Sequence, residues 1–372
     1  MSPSSRRELP ALVDYALIPL LNLAVAFLIA GLVVLAIGEN PLEAVAIMMR
    51  GALGYPEGIG FTLYYATDFV FTGLAVAVAF HAGLFNIGAE GQATLGGLGV
   101  ALVCLTFDGA PWWLVFPFAL AASMLFAAGW AFVPAWTQAR RGSHIVITTI
   151  MFNYLAATLM VWLLVEVMGK PGAMSPETRT FAEATRLPFL RDTLAPFGID
   201  LGQSPLNPMV IVAGLAAVFV WILIWRTRLG FEIRTVGKNP TAAVYAGIDP
   251  GQVVIVAMLI SGALAGLLAV NEVMGTQHRL LLEFVAGAGF VGIAVALMGR
   301  SHPFGVVLAA VLFGILYQGG AELAFDKPKI SRDMIVVIQA LVILFAGALE
   351  HMFRPALIAL FDRRRALAGG AA

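Results

Sequence analysis

Long apolar stretches, separated by short polar ones, follow one another along the chain and constrain its fold more than any other feature. A helix needs about 20 apolar residues to cross a bilayer. Ten stretches reach or approach this length, at 16–38, 59–80, 92–107, 112–135, 145–168, 207–226, 251–271, 284–299, 303–321 and 334–350. They predict an all-α, polytopic membrane protein whose residues 1–372 form a single transmembrane domain. The composition agrees, because 60% of the residues are hydrophobic and only 12% are charged, against about 25% charged in soluble domains.

The distribution of basic residues predicts how the chain lies in the membrane. Cytoplasmic loops carry an excess of Lys and Arg, and more of the 22 basic residues fall on the inner side when the N-terminus is placed there. We therefore expect both termini in the cytoplasm, a long outer loop at 169–206 and a cytoplasmic loop at 227–250. The prolines of the outer loop predict turns and a short helix. A contact with an external partner and a passive linker are both open for it.

A polar, glycine-rich segment interrupts the apolar sequence between the second and third stretches. Residues 80–92 read Phe-His-Ala-Gly-Leu-Phe-Asn-Ile-Gly-Ala-Glu-Gly-Gln. Irregular backbone at membrane depth survives only where protein or a water-filled path surrounds it. Asn86, Glu90 and Gln92 therefore indicate a path for a polar solute. A tight cytoplasmic turn with surface polar groups is the alternative, and the sequence leaves both open.

Two more polar residues fall inside predicted spans. Asp68 lies near the middle of the second span, where an ionised carboxylate costs about 2.5–3.5 kcal/mol on insertion scales and needs a partner or water. It is either part of a polar pathway or proton site, or a structural hydrogen-bonding group. Asn153 in the fifth span is open to the same two interpretations.

Several familiar motifs are absent from the sequence or stand in the wrong context. No Walker A motif is present, so any ATP hydrolysis belongs to another chain. Residues 287–292 match the dinucleotide fingerprint, but they lie in a predicted span, where small residues favour close helix packing, as do Gly262 and Gly266. One cysteine, Cys104, permits no disulfide within the chain, and no Cys/His spacing indicates a metal. We therefore predict no catalytic residues, no metal, no cofactor and, at zero net charge, no nucleic-acid partner.

The cytoplasmic loop carries the second strong signal. Asn239 suits the cap of a short helix, Pro240 suits its first position, and Gly247 suits its end. We expect residues 242–246, which include Ala243 and Tyr245, to present a small apolar surface to the cytosol. Such a surface favours a docking site, and a helix that packs back on the bundle is the alternative.

At these stretches the chain resembles the permease subunits of ABC transporters. It is similar to the branch that serves monosaccharide and nucleoside importers, with branched-chain amino acid permeases as more distant relatives. Residues 72–92, 142–154 and 230–248 carry the resemblance, and the first of these motifs is typical of the nucleoside-type subgroup. Together with the number of spans, the likeness covers roughly residues 15–355.

The resemblance implies a type II-like importer in a bacterial inner membrane. Such an importer pairs two permeases, copies or paralogues, with two cytosolic ATPases and an external solute-binding protein. It implies pathway or gating roles for Asn86, Glu90 and Asn153. It also implies ATPase coupling at a set of loop residues, namely Arg234, Gly237, Asn239, Ala243 and Gly247.

Three positions depart from the family pattern. Asp68 stands where many relatives have proline, His81 where Arg or Lys is common, and Ile145 where part of the family has glutamate. The added charge of Asp68 puts the substrate of the nearest subgroup in doubt for this chain.

The sequence as a whole predicts a transport subunit rather than an enzyme. Because few intramembrane charges are available, we expect a small, neutral, polar solute, a nucleoside or nucleobase-related compound first and a monosaccharide next. An ion- or proton-coupled secondary transporter without an ATPase is the alternative, and Asp68 is its motivation.

Overall fold

The computed structural model describes residues 18–348 except 171, 173, 174 and 331, and this part of the chain is helical. The two predicted cytoplasmic termini lie outside these residues. The α-helices are α1 Ile18–Ala36, α2 Pro41–Leu53, α3 Pro56–His81, α4 Ala89–Thr106, α5 Trp112–Arg141, α6 Ile145–Trp162, α7 Leu190–Leu194, α8 Met209–Arg226, α9 Arg228–Lys238, α10 Pro240–Tyr245, α11 Pro250–Ala269, α12 Ala288–Met298, α13 Pro303–Asp326 and α14 Arg332–Ala348. Two π-helical segments, Leu163–Val167 and Val270–Gln277, prolong α6 and α11.

Every predicted span contains a helix, but not all of these helices are long enough to cross a membrane alone. Within the described residues, six helices are long and apolar enough, and a seventh span results if Ala24–Ala36 and Pro41–Leu53, bent by 114°, count as one. Helix α12 has only 11 residues. The chain is therefore a multi-pass helical protein, and the count of ten crossings stays a prediction.

Helix α2 lies between the first two apolar stretches, outside every predicted span. Asn40 starts it, because its side-chain oxygen accepts the backbone N–H of Leu42 at 3.0 Å. Glu43 and Arg50 lower the average hydropathy of this helix and so hide it from a search for apolar runs.

The described chain packs as two units, one of residues 18–51 and 319–348 and the other of residues 52–318. In the first unit α1 packs against α14. The Lys327 ammonium lies 2.9 Å from Glu43 and 3.3 Å from Glu39, and the hydrogen bond that it donates to Glu43 raises the pKa of this lysine. The single domain expected over residues 1–372 stays a prediction.

In the second unit, helices α3, α4, α5, α11 and α12 form the core, and small residues let them approach closely. A Cβ atom at Gly266 of α11 would stand 2.6 Å from the carbonyl oxygen of Ser123 on α5. A Cβ at Gly262 would stand 2.8 Å from the carbonyl oxygen of Ala127, and one at Gly292 would stand 2.5 Å from Cβ of Thr72. The packing role predicted for these glycines is confirmed.

The two long loops of this unit lie at opposite ends of α3. Near its start, Glu57 accepts the backbone N–H of Gln203, which belongs to the 169–206 loop. Near its end, His81 packs against Gly237, which belongs to the other loop. This separation agrees with the predicted assignment of one loop to each side of the membrane.

The loop at 169–206 contains α7 and two short 3₁₀ segments, so it has the turns and the short helix that its prolines predict. It is fastened to the end of α4 through Asp108, which pairs with Arg179 and accepts the backbone N–H of Ala182 at 2.7 Å. The hydrogen bond from Arg179, with that from Ala182, holds the pKa of Asp108 below its usual range.

The close contact of α5 with α11 is testable by adding one methyl group. We expect Gly266→Ala to destabilise the protein by about 1–3 kcal/mol, because the new Cβ meets backbone that cannot move aside. Gly129→Ala in α5 is the control, since no atom lies within 4 Å of a Cβ at that position. It should be neutral or slightly stabilising through helix propensity. Thermal unfolding of both variants in detergent measures the difference, and equal melting temperatures would contradict the packing role.

Candidate functional site

The polar segment between α3 and α4 is held by side-chain amides. Asn86 is buried, and its Nδ2 donates to Gln92 Oε1 at 3.1 Å and to Ser261 Oγ at 2.9 Å. Its Oδ1 accepts from the Gly88 backbone N–H at 2.8 Å and from Gln92 Nε2 at 3.2 Å. Ser261 in turn donates to the carbonyl of Ala75 at 2.6 Å. Both amides are therefore engaged by protein, and they fix the segment against α3 and α11.

Asn153 reaches the same segment from α6. Its Oδ1 accepts the backbone N–H of Gly91 at 2.9 Å, and its Nδ2 donates to the carbonyl of Ile87 at 2.9 Å. One side chain thus satisfies a donor and an acceptor that the irregular backbone would otherwise leave unpaired.

Glu90 connects the segment to the start of α12. Its two carboxylate oxygens accept the backbone N–H groups of Gly287 and Gly289 at 2.8 and 2.9 Å. The first N–H groups of a helix have no partner within the helix and carry partial positive charge, so a carboxylate stabilises them. A Cβ on Gly289 would overlap the backbone nitrogen of Glu90, so only glycine permits this approach.

Asp68, at the middle of α3, belongs to a second buried cluster. Its carboxylate accepts from Asn271 Nδ2 at 2.9 Å, and Asn271 Oδ1 accepts from Asn207 Nδ2 at 2.9 Å. Tyr64 donates its hydroxyl to Glu272, and Asn271, the chain neighbour of Glu272, binds Asp68, so the carboxyl groups of Glu272 and Asp68 lie close together. All five side chains are buried. The cluster joins α3, the start of α8 and the π-helical end of α11.

Aromatic rings of α3 and α13 pack together beside the second cluster. Tyr65, next to Tyr64, and Tyr317 have ring centroids 5.8 Å apart, and the ring centroid of Phe69, next to Asp68, lies 4.8 Å from that of Tyr317. The half-buried rings of Tyr65 and Tyr317 offer faces on which a planar or ring-shaped solute can stack.

The predicted docking helix is present as α10. The Asn239 side chain accepts the N–H of Ala242 at 3.0 Å, Pro240 occupies the first helical position, and Gly247 follows the helix with φ +77°. The cap and the end predicted for this helix are confirmed. Tyr245 is 90% exposed.

Ala243 does not lie on the exposed surface, and that expectation is wrong. It is wholly buried, while its neighbour Val244 is 59% exposed. A helix this short must turn one side toward the bundle, and a small side chain is the one that allows close contact. The interior side is further fixed because the backbone N–H of Ile248 donates to the carbonyl of Ala243 at 3.0 Å.

The same loop lies directly against the polar segment. A Cβ on Gly237 would overlap the carbonyl oxygen of His81 and stand 2.8 Å from the backbone nitrogen of Gly83. Gly83 itself has φ +73°, which favours glycine. Arg234 lies on the preceding turn, half-buried, and donates to the carbonyl of Gly230 at 3.3 Å. The two strongest sequence signals therefore meet in one backbone contact.

Comparison with known proteins identifies the family of the chain. Residues 58–347 match the family model described as branched-chain amino acid transport system / permease component. The chain belongs to this family. The permease is 34% identical over 362 residues to the glucose ABC transporter permease protein TsgB13 of Haloferax volcanii. The match covers 96% of this chain and 94% of the relative.

Two further relatives carry names that refer to nucleosides. The guanosine ABC transporter permease protein NupP of Bacillus subtilis is 34% identical, over 90% of this chain and 94% of its own length. The nucleoside ABC transporter permease protein NupB of Lactococcus lactis is 34% identical, over 88% and 90%. No solved structure matches the permease.

Sequence reasoning singled out Asp68 but missed three partners of its cluster: Asn207, Asn271 and Glu272. They lie at the ends of apolar stretches, where polar residues are usually solvated. The signal available was the pair Asn271–Glu272, which follows eighteen apolar or small residues, 253–270, without a turn signal. Among the described residues, no group of three or more His, Cys, Asp or Glu side chains is placed to hold a metal ion.

The two hydrogen bonds of Asn153 predict a stability effect. Asn153→Ala leaves the N–H of Gly91 and the carbonyl of Ile87 unpaired, at a cost of about 1–3 kcal/mol each. Thr158→Ala on the same helix is the control, because its exposed hydroxyl bonds only to the carbonyl of Tyr154. Thermal unfolding in detergent should show a lowered midpoint for the first variant alone. An unchanged midpoint would mean that water replaces the asparagine.

Proposed function

We propose that this permease forms the translocation path of an ABC importer for a nucleoside or nucleobase-related compound, with a monosaccharide as the second candidate. Membership of the permease family makes it a transport subunit rather than an enzyme. Relatives named for guanosine, nucleosides and glucose cover most of the chain at 34% identity. These names are the observation that carries the proposal.

The assembly that follows from this proposal is type II-like. Each permease crosses the inner membrane ten times with both termini in the cytoplasm, pairs with a copy or a paralogue, and binds a cytosolic ATPase through the loop at 227–250. An external solute-binding protein delivers solute at the opposite end, beside the loop at 169–206. The separation of the two loops along α3 supports this arrangement.

Alternating access is a population shift between outward and inward states, and ATP binding by the partner supplies the bias. Tyr245 makes the exposed contact with the ATPase in this mechanism, and buried Ala243 seats the helix. Asn239 and Gly247 set the helix ends, while Arg234 and Gly237 connect it to α9. Displacement of α10 then reaches the polar segment through the contact of Gly237 with His81.

The polar residues of the segment act as gating groups in this mechanism. In the described conformation Asn86, Gln92, Asn153 and Glu90 are all engaged by protein. A shift of α12 or α6 would free some of them to face a polar path. Such groups exchange partners at little cost if water or solute replaces the lost hydrogen bonds.

A neutral solute fits the described interior best. No arginine or lysine is among the hydrogen-bond partners described for either polar cluster, so an anion finds no counter-ion there. The rings of Tyr65, Phe69 and Tyr317 supply stacking surfaces for a base or the apolar face of a sugar.

A secondary transporter remains the competing function, motivated by the buried carboxyl group of Asp68. Such a transporter needs no exposed cytosolic docking helix, so α10 separates the two hypotheses.

Tyr245 tests the ATPase partnership directly. We expect Tyr245→Asp to abolish co-purification of an ATPase and ATP-driven uptake, because a buried aromatic contact becomes a desolvated charge in the complex. Phe197→Asp, at a residue 79% exposed in the other loop, is the matched control and should retain the ATPase. Affinity purification in mild detergent with mass spectrometry measures both. Uptake that survives in Tyr245→Asp, driven by an ion gradient, would support the secondary transporter.

The solute is tested by reconstituting the complete importer in liposomes. We expect ATP-dependent uptake of a radiolabelled ribonucleoside, at least tenfold reduced by excess unlabelled nucleoside and little affected by a branched-chain amino acid. Competition by glucose alone would select the monosaccharide alternative. Competition only by amino acids or organic anions would refute both.

A further inference from the structure

Asp68 and Glu272 place two carboxyl groups close together inside the helical bundle, because Tyr64, one turn before Asp68, binds Glu272, and Asn271, next to Glu272, binds Asp68. Asp68 is 4% exposed and Glu272 8% exposed. Two negative charges this close in a medium of low polarity repel strongly, and each loses its hydration. A carboxyl–carboxyl hydrogen bond avoids this, because one group keeps its proton and donates it to the other.

Among the described residues, the hydrogen-bond partners of the two carboxyls are uncharged. They are Tyr64 from α3 and Asn271 from the π-helical segment. Asn207, from the start of α8, reaches the pair through Asn271. Across all three packed elements these partners are uncharged, so a single shared proton is the arrangement that satisfies the pair.

The pair joins two elements of different helix type. α3 is a regular helix of 26 residues, whereas Glu272 and Asn271 lie in the π-helical segment, which ends at His278 with φ +54°. π-helical turns are rare and often occur at functional sites. The segment packs closely on the start of α8, since a Cβ on Gly275 would overlap the side chain of Asn207.

We propose that Asp68 and Glu272 form a proton-holding latch that keeps the middle of α3 closed against the π-helical segment. When the segment moves away, both carboxyl groups enter a hydrated path and the shared proton passes to water. Asn271, Asn207 and Tyr64 are positioning residues that align the pair. This inference rests on the proposed import function, because it is the conformational cycle of an importer that would open the latch.

Proton linkage fixes the direction of the effect. The closed latch holds one more proton than the open one, so acid favours closure and rising pH favours opening, by up to about tenfold per pH unit. If the latch opens at a stage of the ATP cycle at which it should be closed, bound solute leaks back through the path. The solute moved per ATP hydrolysed should therefore fall as pH rises.

The test uses the complete importer in liposomes and measures nucleoside uptake and ATP hydrolysis together from about pH 5 to pH 9. Their ratio removes the pH dependence of the ATPase itself. The wild-type ratio should fall several-fold across this range. Asp68→Asn and Glu272→Gln should each flatten the profile at its acid value, because an amide donates to the remaining carboxylate without a titrating proton. Glu183→Gln, an exposed carboxyl in the 169–206 loop, is the control and should keep the wild-type profile.

Two results overturn the latch. One is a flat wild-type ratio with the ATPase bound and active. The other is a wild-type pH profile that persists in both amide variants, which would leave the pair a purely structural role. If one amide variant fails to assemble into the importer, the pH profile of the other variant still tests the latch. Failure of the import function is a different observation, since no ATPase would then co-purify with the wild-type chain.

Discussion

The structure depends on one constraint: the backbone polar groups of residues 82–88 need partners inside protein. A helix satisfies its own backbone, but the segment between α3 and α4 does not. Asn86 and Asn153 supply partners to Gly88 and Ile87, and Glu90, just after the segment, connects the start of α4 to another helix. Asn86 binds Ser261 of α11, Asn153 belongs to α6, and Glu90 binds the start of α12. The need to satisfy one short segment thus fixes the relative positions of several helices.

Glycine makes this convergence possible and connects it to the loop at 227–250. Gly91, Gly237 and Gly289 each lie where a Cβ would meet backbone or a hydrogen-bonding side chain. Polar groups can therefore approach at backbone distance, and a movement of α9 is felt at His81 without an intervening flexible side chain. Close-packed contacts of this kind tend to switch between two discrete packing arrangements and do not deform continuously. This property is what a transporter that switches between two states requires.

Much of the fold could be predicted from the sequence, because hydropathy and local capping act over short distances. The apolar stretches became helices, and Asn239, Pro240 and Gly247 define α10 as expected. Contacts between distant residues could not be predicted in the same way. The burial of Ala243 depends on which side of α10 meets the bundle, and the partners of Asp68 come from residues more than 130 positions away. The pattern of apolar and polar residues within one segment does not determine which distant segment it will contact.

The two polar clusters solve the problem of buried polarity differently, and the difference has consequences. Near the 227–250 loop, the N-terminus of α12 satisfies the single carboxylate of Glu90, and amides satisfy the backbone beside it. At the middle of α3, two carboxyl groups, those of Asp68 and Glu272, lie close together, and their described hydrogen-bond partners are uncharged. A lone carboxylate with two N–H donors is satisfied without a proton, whereas two neighbouring carboxyl groups need one between them. On the proposed latch, the middle of α3 therefore binds a proton that its end at His81 does not need, although both lie on one helix.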